Sequence, residues 1–312
     1  MQRFGLRAAD EFFGNIYGGR HFPPAQARVN VLLSNLKFGT LVLRLMLLKD
    51  AYMSLEPIKF DDGVAYERMM GFWSRLVGPK FLNWLSPHNG QRWIDVGCGN
   101  GAFTEQIVQR CSPSEVQGID PSEAQIAFAS NREGARKAVF QTGDATGIPF
   151  AKDYFDAATM ALVIFLVPDP AQGVVEMKRV VRPGGLVAAY AWDVFGGGMP
   201  TAPITAELRA SNITYPVPPS VDASRMEVLH SLWADAGLQS VETSVITVER
   251  TFANFEEFWS TNALTPSLKP VLAELPEKTI IQLQNAVSER LPVDAQGQIT
   301  YSSYANAIKG LV

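Results

Sequence analysis

The chain has 312 residues, of which 19% are charged, and a formal net charge of −4 at pH 7. This length can bury the core of one large α/β domain with additions or of two domains, and the weakly acidic balance without a basic run argues against a nucleic-acid partner. The two cysteines and three widely spaced histidines form neither a disulfide framework nor a metal-ligand cluster, so we expect no bound metal.

The N-terminal stretch differs from the rest because residues 1–52 carry seven Lys or Arg residues against three acidic ones. Its apolar part, 29–48, contains two basic residues, so a membrane-spanning helix fits poorly, and it starts too late for a signal peptide. Three interpretations stay open: a basic amphipathic segment that touches a membrane or a partner, a targeting presequence, or a non-native leader before a true start at Met53. We favour the leader and expect little ordered structure before about residue 55.

The stretch 61–85 has apolar residues at three- and four-residue spacing, which predicts one or two helices ahead of the first strand. Tyr66 and Trp73 belong to its apolar face. An aromatic ring can attract a cation, but both side chains could equally pack on the sheet, and the spacing alone fits either role.

Residues 92–103 read R-W-I-D-V-G-C-G-N-G-A-F, which predicts a short strand, a tight turn and the start of a helix over 102–110. The turn has glycine at every second position, at Gly97, Gly99 and Gly101. Glycine permits positive φ and close approach of a ligand, and the helix N-terminus presents free N–H groups to that ligand.

Two ligand classes use such a turn. Gly97, Gly99 and Ala102 satisfy the dinucleotide pattern G-x-G-x-x-G/A. Asp95 and the three glycines satisfy D/E-x-G-x-G-x-G, the pattern of S-adenosylmethionine-dependent methyltransferases. A carboxylate at Asp95 would repel a pyrophosphate and suits a cationic amino group, which favours the second class.

The next strands, predicted over 116–119, 138–142, 155–161 and 186–190, place acidic residues at their carboxyl ends, where doubly wound sheets bind ligands. Asp120 lies 25 residues beyond Asp95, close to the offset expected for an acid that binds a ribose diol. Asp144 can accept a hydrogen bond from an adenine amine, while the adjacent backbone N–H can donate to the ring. Ser122 is a plausible helix N-cap, and a helix is predicted over 170–181.

Together, these sequence features resemble those of a known family. The motifs that carry the resemblance are D-V-G-C-G-N-G (95–101), G-I-D-P-S (118–122), G-D-A-T-G-I-P-F (143–150), F-D-A-A (155–158) and R-V-V-R-P-G-G (179–185). They occur in the order and spacing of class I S-adenosylmethionine-dependent methyltransferases, in the small-molecule group that includes the ubiquinone/menaquinone-biosynthesis C-methyltransferases. Residues 93–193 carry the strong part of this resemblance.

The resemblance implies an α/β fold: a Rossmann-like doubly wound, mostly parallel seven-stranded sheet with an antiparallel last strand and helices on both faces. The expected domains are an extension over 1–54, poorly ordered or non-native, and a methyltransferase domain over 55–312 with helical insertions at about 194–222 and 250–296. S-adenosyl-L-methionine is the expected cofactor. Its expected contacts are Asp95, Gly97, Cys98, Gly99, Gly101, Asp120, Pro121, Asp144, Ala145, Ala161, Tyr66 and Trp73.

The sequence features that predict the methyl-acceptor site are less specific than those that predict the cofactor site. Tyr190 and Trp192, after the fifth strand, are expected to flank a substrate pocket. Asp193 is the nearest ionisable side chain and a candidate general base, although an Asp before a glycine loop could equally be a turn residue. Residues 161–166 lack the Asn/Asp-Pro-Pro-aromatic motif of base-amino methyltransferases, which argues for an apolar pocket and against nucleic acid.

The remaining elements are predicted from periodicity and turn signals. They are a loop with a short helix over 194–222, a helix capped by Asp222 that runs to about Ala236, a sixth strand over 241–248, helices over 254–259 and 277–290, and a seventh strand over 298–309 that makes an antiparallel edge with the sixth.

The expected activity is methyl transfer to a small-molecule acceptor by in-line displacement, in a cytoplasmic protein. Orientation and exclusion of water can supply most of the catalysis, so a carbon or nitrogen nucleophile and an already ionised oxygen all stay open. Two alternatives are kept: a catalytically silent S-adenosylmethionine-binding protein, since binding motifs do not prove turnover, and an NAD(P)-dependent oxidoreductase. Membrane contact is expected only through the N-terminal extension, and the sequence does not predict an oligomeric state.

Overall fold

The computed structural model describes residues 71–312. Predictions on earlier residues, including Tyr66, the extension over 1–54 and the first part of the helix over 61–85, lie outside the described residues.

Seven strands form one sheet in the order β3-β2-β1-β4-β5-β7-β6. The strands are β1 (Arg92–Val96), β2 (Glu115–Asp120), β3 (Ala138–Thr142), β4 (Phe155–Ala161), β5 (Val181–Trp192), β6 (Gln239–Phe252) and β7 (Ile299–Leu311). The first five pair in parallel, and β7 runs antiparallel to both of its neighbours. This confirms the predicted doubly wound, mostly parallel sheet with an antiparallel last strand, although β6 forms the outer edge and β7 lies inside it.

Helices cover the sheet on both faces. They are α1 (Phe72–Leu85), α2 (Ala102–Arg110), α3 (Glu123–Ser130), α4 (Pro170–Val180), α5 (Ala202–Ala210), α6 (Met226–Asp235), α7 (Phe255–Ala263), α8 (Lys269–Glu274) and α9 (Glu277–Arg290). Short 3-10 turns occupy Glu133–Ala135, Ile164–Leu166 and Val221–Ser224.

The alternation of strand side chains divides the core into two layers. On one face, Trp93 and Tyr190 pack with α1, α2, α5, α7 and α9. On the other face, Ile94 and Val187 pack with α4 and α6. The first of these layers contains the aromatic side chains of α1, β5 and β6 that the site described below depends on.

Several predicted boundaries need correction. Asp222 does not cap α6, because the residue lies in a 3-10 turn and pairs with Arg225 at 3.2 Å, and extended backbone at Arg225 delays the helix to Met226. Strand β5 begins five residues before Leu186, since the chain around Gly185 continues to pair rather than turn. Strand β6 is longer than 241–248 at both ends because it pairs along β7. Helix α8 was not predicted.

Candidate active site

The glycine turn between β1 and α2 uses its three glycines for different reasons. All three have positive φ: 73° at Gly97, 51° at Gly99 and 79° at Gly101. A Cβ at Gly97 would lie 2.5 Å from the side chain of Val163, and one at Gly101 would lie 3.1 Å from Ala129. A Cβ at Gly99 would meet nothing within 4 Å. Gly99 therefore borders open space, which is what close approach of a ligand to backbone requires.

Asp95, at the end of β1, is fully buried beside this turn. One carboxylate oxygen, Oδ2, accepts a hydrogen bond of 2.6 Å from the hydroxyl of Thr104 on α2. The other, Oδ1, has no partner among residues 71–312. Burial raises the pKa of Asp95 to about 7, the Thr104 hydroxyl works in the opposite direction, and the charge of Asp120 adds to the rise. A buried acceptor without a donor is costly, so this oxygen suits a ligand that donates.

Asp120 ends β2 and is tied to the glycine turn. Its Oδ2 accepts from the backbone N–H of Gly99 at 3.0 Å, and its Oδ1 accepts from the N–H of Ser122 at 2.9 Å. Burial raises the pKa of Asp120, while these two N–H groups work to lower it. The Ser122 hydroxyl caps α3, as predicted. The structure thus brings Asp95, Asp120 and Gly99 together at one edge of the sheet.

The loop after β3 is held by an ion pair on α4. Asp144 is exposed, and its Oδ1 accepts from the N–H and the hydroxyl of Thr146 at 2.7 and 2.6 Å. The backbone of Ile148 donates to Glu176 at 2.9 Å and accepts from Arg179 at 2.8 Å. Arg179 opens the R-V-V-R-P-G-G motif. That motif therefore fixes the loop on which Asp144 and its neighbour Ala145 lie.

The carboxyl end of β4 has a feature that sequence reasoning missed. Leu162 is buried and has a φ of 62°, and its N–H donates to the carbonyl of Tyr190 at 2.8 Å. A positive φ at a bulky residue is rare, and such strain is concentrated at functional sites. The next residue, Val163, fills the space beside Gly97. Ala161 and Leu162 therefore join the glycine turn at the same edge, and no residue type in the sequence signals the strain.

Two further predicted contacts differ in environment. Cys98 is buried, and burial, followed by the charges of Asp95 and Asp120, raises the pKa of its thiol far above the ordinary range. The thiol therefore stays protonated and acts as a small apolar group. Pro121 is exposed at the start of the loop after β2.

Three of the predicted aromatic residues, Trp73, Tyr190 and Trp192, belong to one buried group on the face that also carries Asp95. The Tyr190 ring lies 4.7 Å from that of Phe81 on α1. The rings of Trp73 and Trp192 meet edge to face at 6.4 Å. All three of the predicted residues are fully buried. Their contacts with a cofactor or substrate stay a prediction.

Asp193 makes the contacts of a turn residue. Its Oδ1 accepts from the N–H of Gly196 at 2.8 Å, and its carbonyl accepts from the N–H of Gly198 at 2.8 Å. Burial, and then the charge and hydrogen bond of Asp193, raise the pKa of the Tyr304 hydroxyl. The carboxylate therefore lies between a turn and a tyrosine, and its role as a general base stays a prediction.

The sheet order and the glycine turn define the fold of class I S-adenosylmethionine-dependent methyltransferases. Residues 94–189 match the family model described as a methyltransferase domain. The chain is 32% identical over 126 residues to the ubiquinone/menaquinone biosynthesis C-methyltransferase UbiE of Paracoccus denitrificans, which covers 39% of this chain and 50% of that protein. It is 39% identical over 95 residues to a chloroplastic 2-methyl-6-phytyl-1,4-hydroquinone methyltransferase of Oryza sativa subsp. japonica, which covers 30% of this chain and 27% of that protein. The chain thus spans about half or less of the length of these two relatives.

Solved structures agree on the fold. Phosphoethanolamine N-methyltransferase 2 of Haemonchus contortus superposes with a TM-score of 0.51 at 19% identity, over 81% of this chain and 57% of that one. The YcgJ protein of Bacillus subtilis gives 0.50 at 15% identity, over 75% and 97%. None of the helices within residues 71–312 has the length and apolarity needed to cross a bilayer.

Proposed function

We propose that this protein transfers a methyl group from S-adenosyl-L-methionine to a small-molecule acceptor. The observation that carries the proposal is the open space beside Gly99. The buried Asp95, with its unpartnered Oδ1, lies at the same edge of the sheet. An orphaned carboxylate oxygen suits the cationic amino group of the cofactor better than a pyrophosphate, which disfavours an NAD(P)-dependent oxidoreductase.

The residues present fit this cofactor. Asp95 would hold the methionine amino group. Asp120 has one N–H on each oxygen, so each oxygen keeps a lone pair for a ribose hydroxyl. Asp144 and the N–H of Ala145 would hold the adenine, because the second carboxylate oxygen of Asp144 is outside the bonds to Thr146.

When bound, the cofactor supplies a strongly electrophilic methyl group. The chain has to bind the cofactor and the acceptor, orient them and exclude water. These effects can supply a large part of the rate enhancement in a displacement of this kind. The buried aromatic side chains Trp73, Tyr190 and Trp192 are proposed to exclude water on the acceptor side. Asp193 is the candidate base for an acceptor that must lose its proton early.

For the acceptor we propose a small aromatic or quinone-like molecule. The similar protein from Paracoccus has a name that refers to ubiquinone/menaquinone biosynthesis, and the one from rice has a name that refers to a hydroquinone. The face beside Asp95 is lined by aromatic side chains. A cytoplasmic location, the boundary near residue 55 and membrane contact through the N-terminal extension are parts of the same proposal.

Calorimetric titration of the purified protein with S-adenosylhomocysteine tests the cofactor, with NADH as the control. Micromolar binding of the first ligand and no binding of the second is expected. Transfer of a labelled methyl group from S-adenosylmethionine to acceptors in a cell extract then tests turnover. Tight binding without transfer would favour the catalytically silent binding protein, and binding of NADH instead would favour the oxidoreductase.

A further inference from the structure

Arg250 is a partly buried cation whose charge is poorly compensated. It lies near the end of β6 with its side chain 12% exposed. Its guanidinium is stacked between two rings, 4.4 Å from the centroid of Phe72 and 4.5 Å from that of Phe252. Glu257 lies 3.9 Å from Nη2, which is a long separation for an ion pair. The buried Nη1 has no hydrogen-bond partner among residues 71–312.

Further buried donors on the same face also lack an acceptor within the described residues. Among them are the Ser303 hydroxyl and the indole N–H groups of Trp73, Trp93 and Trp192. Ser303 on β7 pairs with Val248 on β6, and side chains directly opposite each other share a face. The Trp73 ring lies 6.4 Å from those of both Trp192 and Phe252. We call Arg250, Ser303, Trp73 and Trp192 the donor cluster.

The donor cluster lies at the sheet edge that carries the glycine turn. Strand β6 runs parallel to β5, because β7 is antiparallel to both. The carboxyl end of β6, with Arg250, is therefore at the same edge as Asp95 and Gly97. Trp192 at the end of β5 is level with Ile246 on β6, because both pair with Ala305 of β7. Arg250 therefore lies about 10 Å across the sheet from the end of β5 and about 13 Å further along the strand direction.

We propose that the donor cluster binds an ionised oxygen carried by the ring of a planar aromatic methyl acceptor. The inference rests on the proposed function and specifies its substrate class. The two rings lie over the Arg250 Cζ atom, and the N–H groups of Nη1 are left without an acceptor within the described residues. The N–H groups of a guanidinium are the ones that bind anionic oxygens. A planar ring fits between aromatic walls.

The electrostatics agree with this geometry. Burial lowers the pKa of Arg250, and the charge of Glu257 opposes that effect. A buried cation with weak compensation is costly, so an anionic oxygen would be stabilised at Nη1. Carboxylate and phenolate share this chemistry.

Calorimetry with two anionic probes tests the inference in the presence of saturating S-adenosylhomocysteine. The first probe is 2-naphthoate, with neutral 2-naphthamide as its control. The second is 2-naphthol, titrated on either side of its own pKa, with 2-methoxynaphthalene as its control. At least about tenfold tighter binding of an anion than of its neutral control is expected, and the probe that binds distinguishes a carboxylate from a phenolate acceptor. Equal binding of anion and control, or no binding of either anion, would overturn the inference.

Substitutions locate the binding site. Arg250→Met keeps a side chain that packs between the rings, and about a tenfold or greater loss of anion affinity is expected. The matched control is Arg225→Met. Arg225 also lies over a ring, that of Phe195 at 5.3 Å, but it is outside the donor cluster. The anion affinity of this variant should equal that of the wild type. Unchanged anion affinity in Arg250→Met would contradict the proposal.

A variant of opposite sign covers the case in which Arg250→Met fails to fold. Glu257→Gln removes the competing negative charge and should tighten anion binding severalfold, whereas unchanged or weaker binding would count against the inference. Titration of each variant with S-adenosylhomocysteine separates the two proposals. If the wild-type protein does not bind S-adenosylhomocysteine, only the proposed function is refuted. Anion binding that depends on Arg250 can still be measured without S-adenosylhomocysteine.

Discussion

The two ends of the sheet hold their polar groups in different ways. Around the glycine turn, Asp120 is fixed by backbone N–H groups of Gly99 and Ser122. At the other end, Arg250 is fixed by rings from α1 and β6 and its Nη1 is unpartnered within the described residues. The first region is preorganised by backbone hydrogen bonds, and the second is held by ring packing that leaves donors unused. We infer that the turn is arranged for its ligand before binding, whereas the donor cluster gains its missing acceptors only from a ligand.

The largest expected effect comes from the glycine turn itself. Gly97→Ala should destabilise the fold by about 2–5 kcal/mol, because an L-residue in the left-handed region costs about 1–2 kcal/mol and overpacking against Val163 adds about 1–3 kcal/mol. Chemical denaturation of the wild type and of Gly97→Ala measures the difference in their free energies of unfolding.

Gly99→Ala is the matched control. Its φ is similarly positive, but its Cβ would enter open space, so the cost to the fold should be about 1–2 kcal/mol. The added methyl group should instead reduce affinity for S-adenosylhomocysteine. Equal stability losses in the two variants, or an unchanged affinity in Gly99→Ala, would contradict the assignment of that open space to a ligand.

The elements that were predicted well are those with a local cause. The bounds of α2, β3, β4 and α9 follow from short-range periodicity and turn residues. The predictions that failed depend on other parts of the fold. The chain around Gly185 pairs as strand because β7 lies beside it. Asp222 does not cap a helix because it lies in a turn and pairs with Arg225. The same distinction holds in the site, where the Asp95 pattern was visible in sequence but the placement of Arg250 between two rings was not.

Asp120→Ala should weaken cofactor binding by about 1.5–3 kcal/mol, since it removes the proposed acceptor for the ribose hydroxyls. It also frees the N–H of Gly99. Calorimetric titration with S-adenosylhomocysteine gives the change in affinity. Asp144→Ala is the comparison, and a smaller loss is expected there because Asp144 is exposed. Unchanged affinity in Asp120→Ala would remove Asp120 from the proposed site.

Cofactor binding should depend on pH through Asp95. Its pKa is raised to about 7 in the ligand-free protein, so much of the carboxyl is protonated at neutral pH, and a cationic ligand must displace that proton. Affinity for S-adenosylhomocysteine should therefore fall as pH drops below about 7, by up to about 1.4 kcal/mol per pH unit. Titrations in buffers of different ionisation enthalpy should detect proton release.

The control for this dependence is Asp95→Asn, which removes the titrating group while keeping an oxygen that can accept from Thr104. Its affinity should be weaker and nearly independent of pH over the same range. A wild-type affinity that does not change with pH would mean that Asp95 does not receive the amino group.

The smallest expected effect concerns Asp193, and it links the two ends of the sheet. If the acceptor oxygen is already ionised when the donor cluster binds it, no early proton loss is needed and the chain has no use for a base there. Asp193→Asn keeps an oxygen for the N–H of Gly196, so kcat should stay within about threefold of the wild type. Asp193→Ala removes that acceptor and should cost about 1 kcal/mol of stability. A large loss of kcat in Asp193→Asn with unchanged stability would identify Asp193 as the base, and the acceptor would then have to arrive with its proton rather than as the anion that we infer from Arg250.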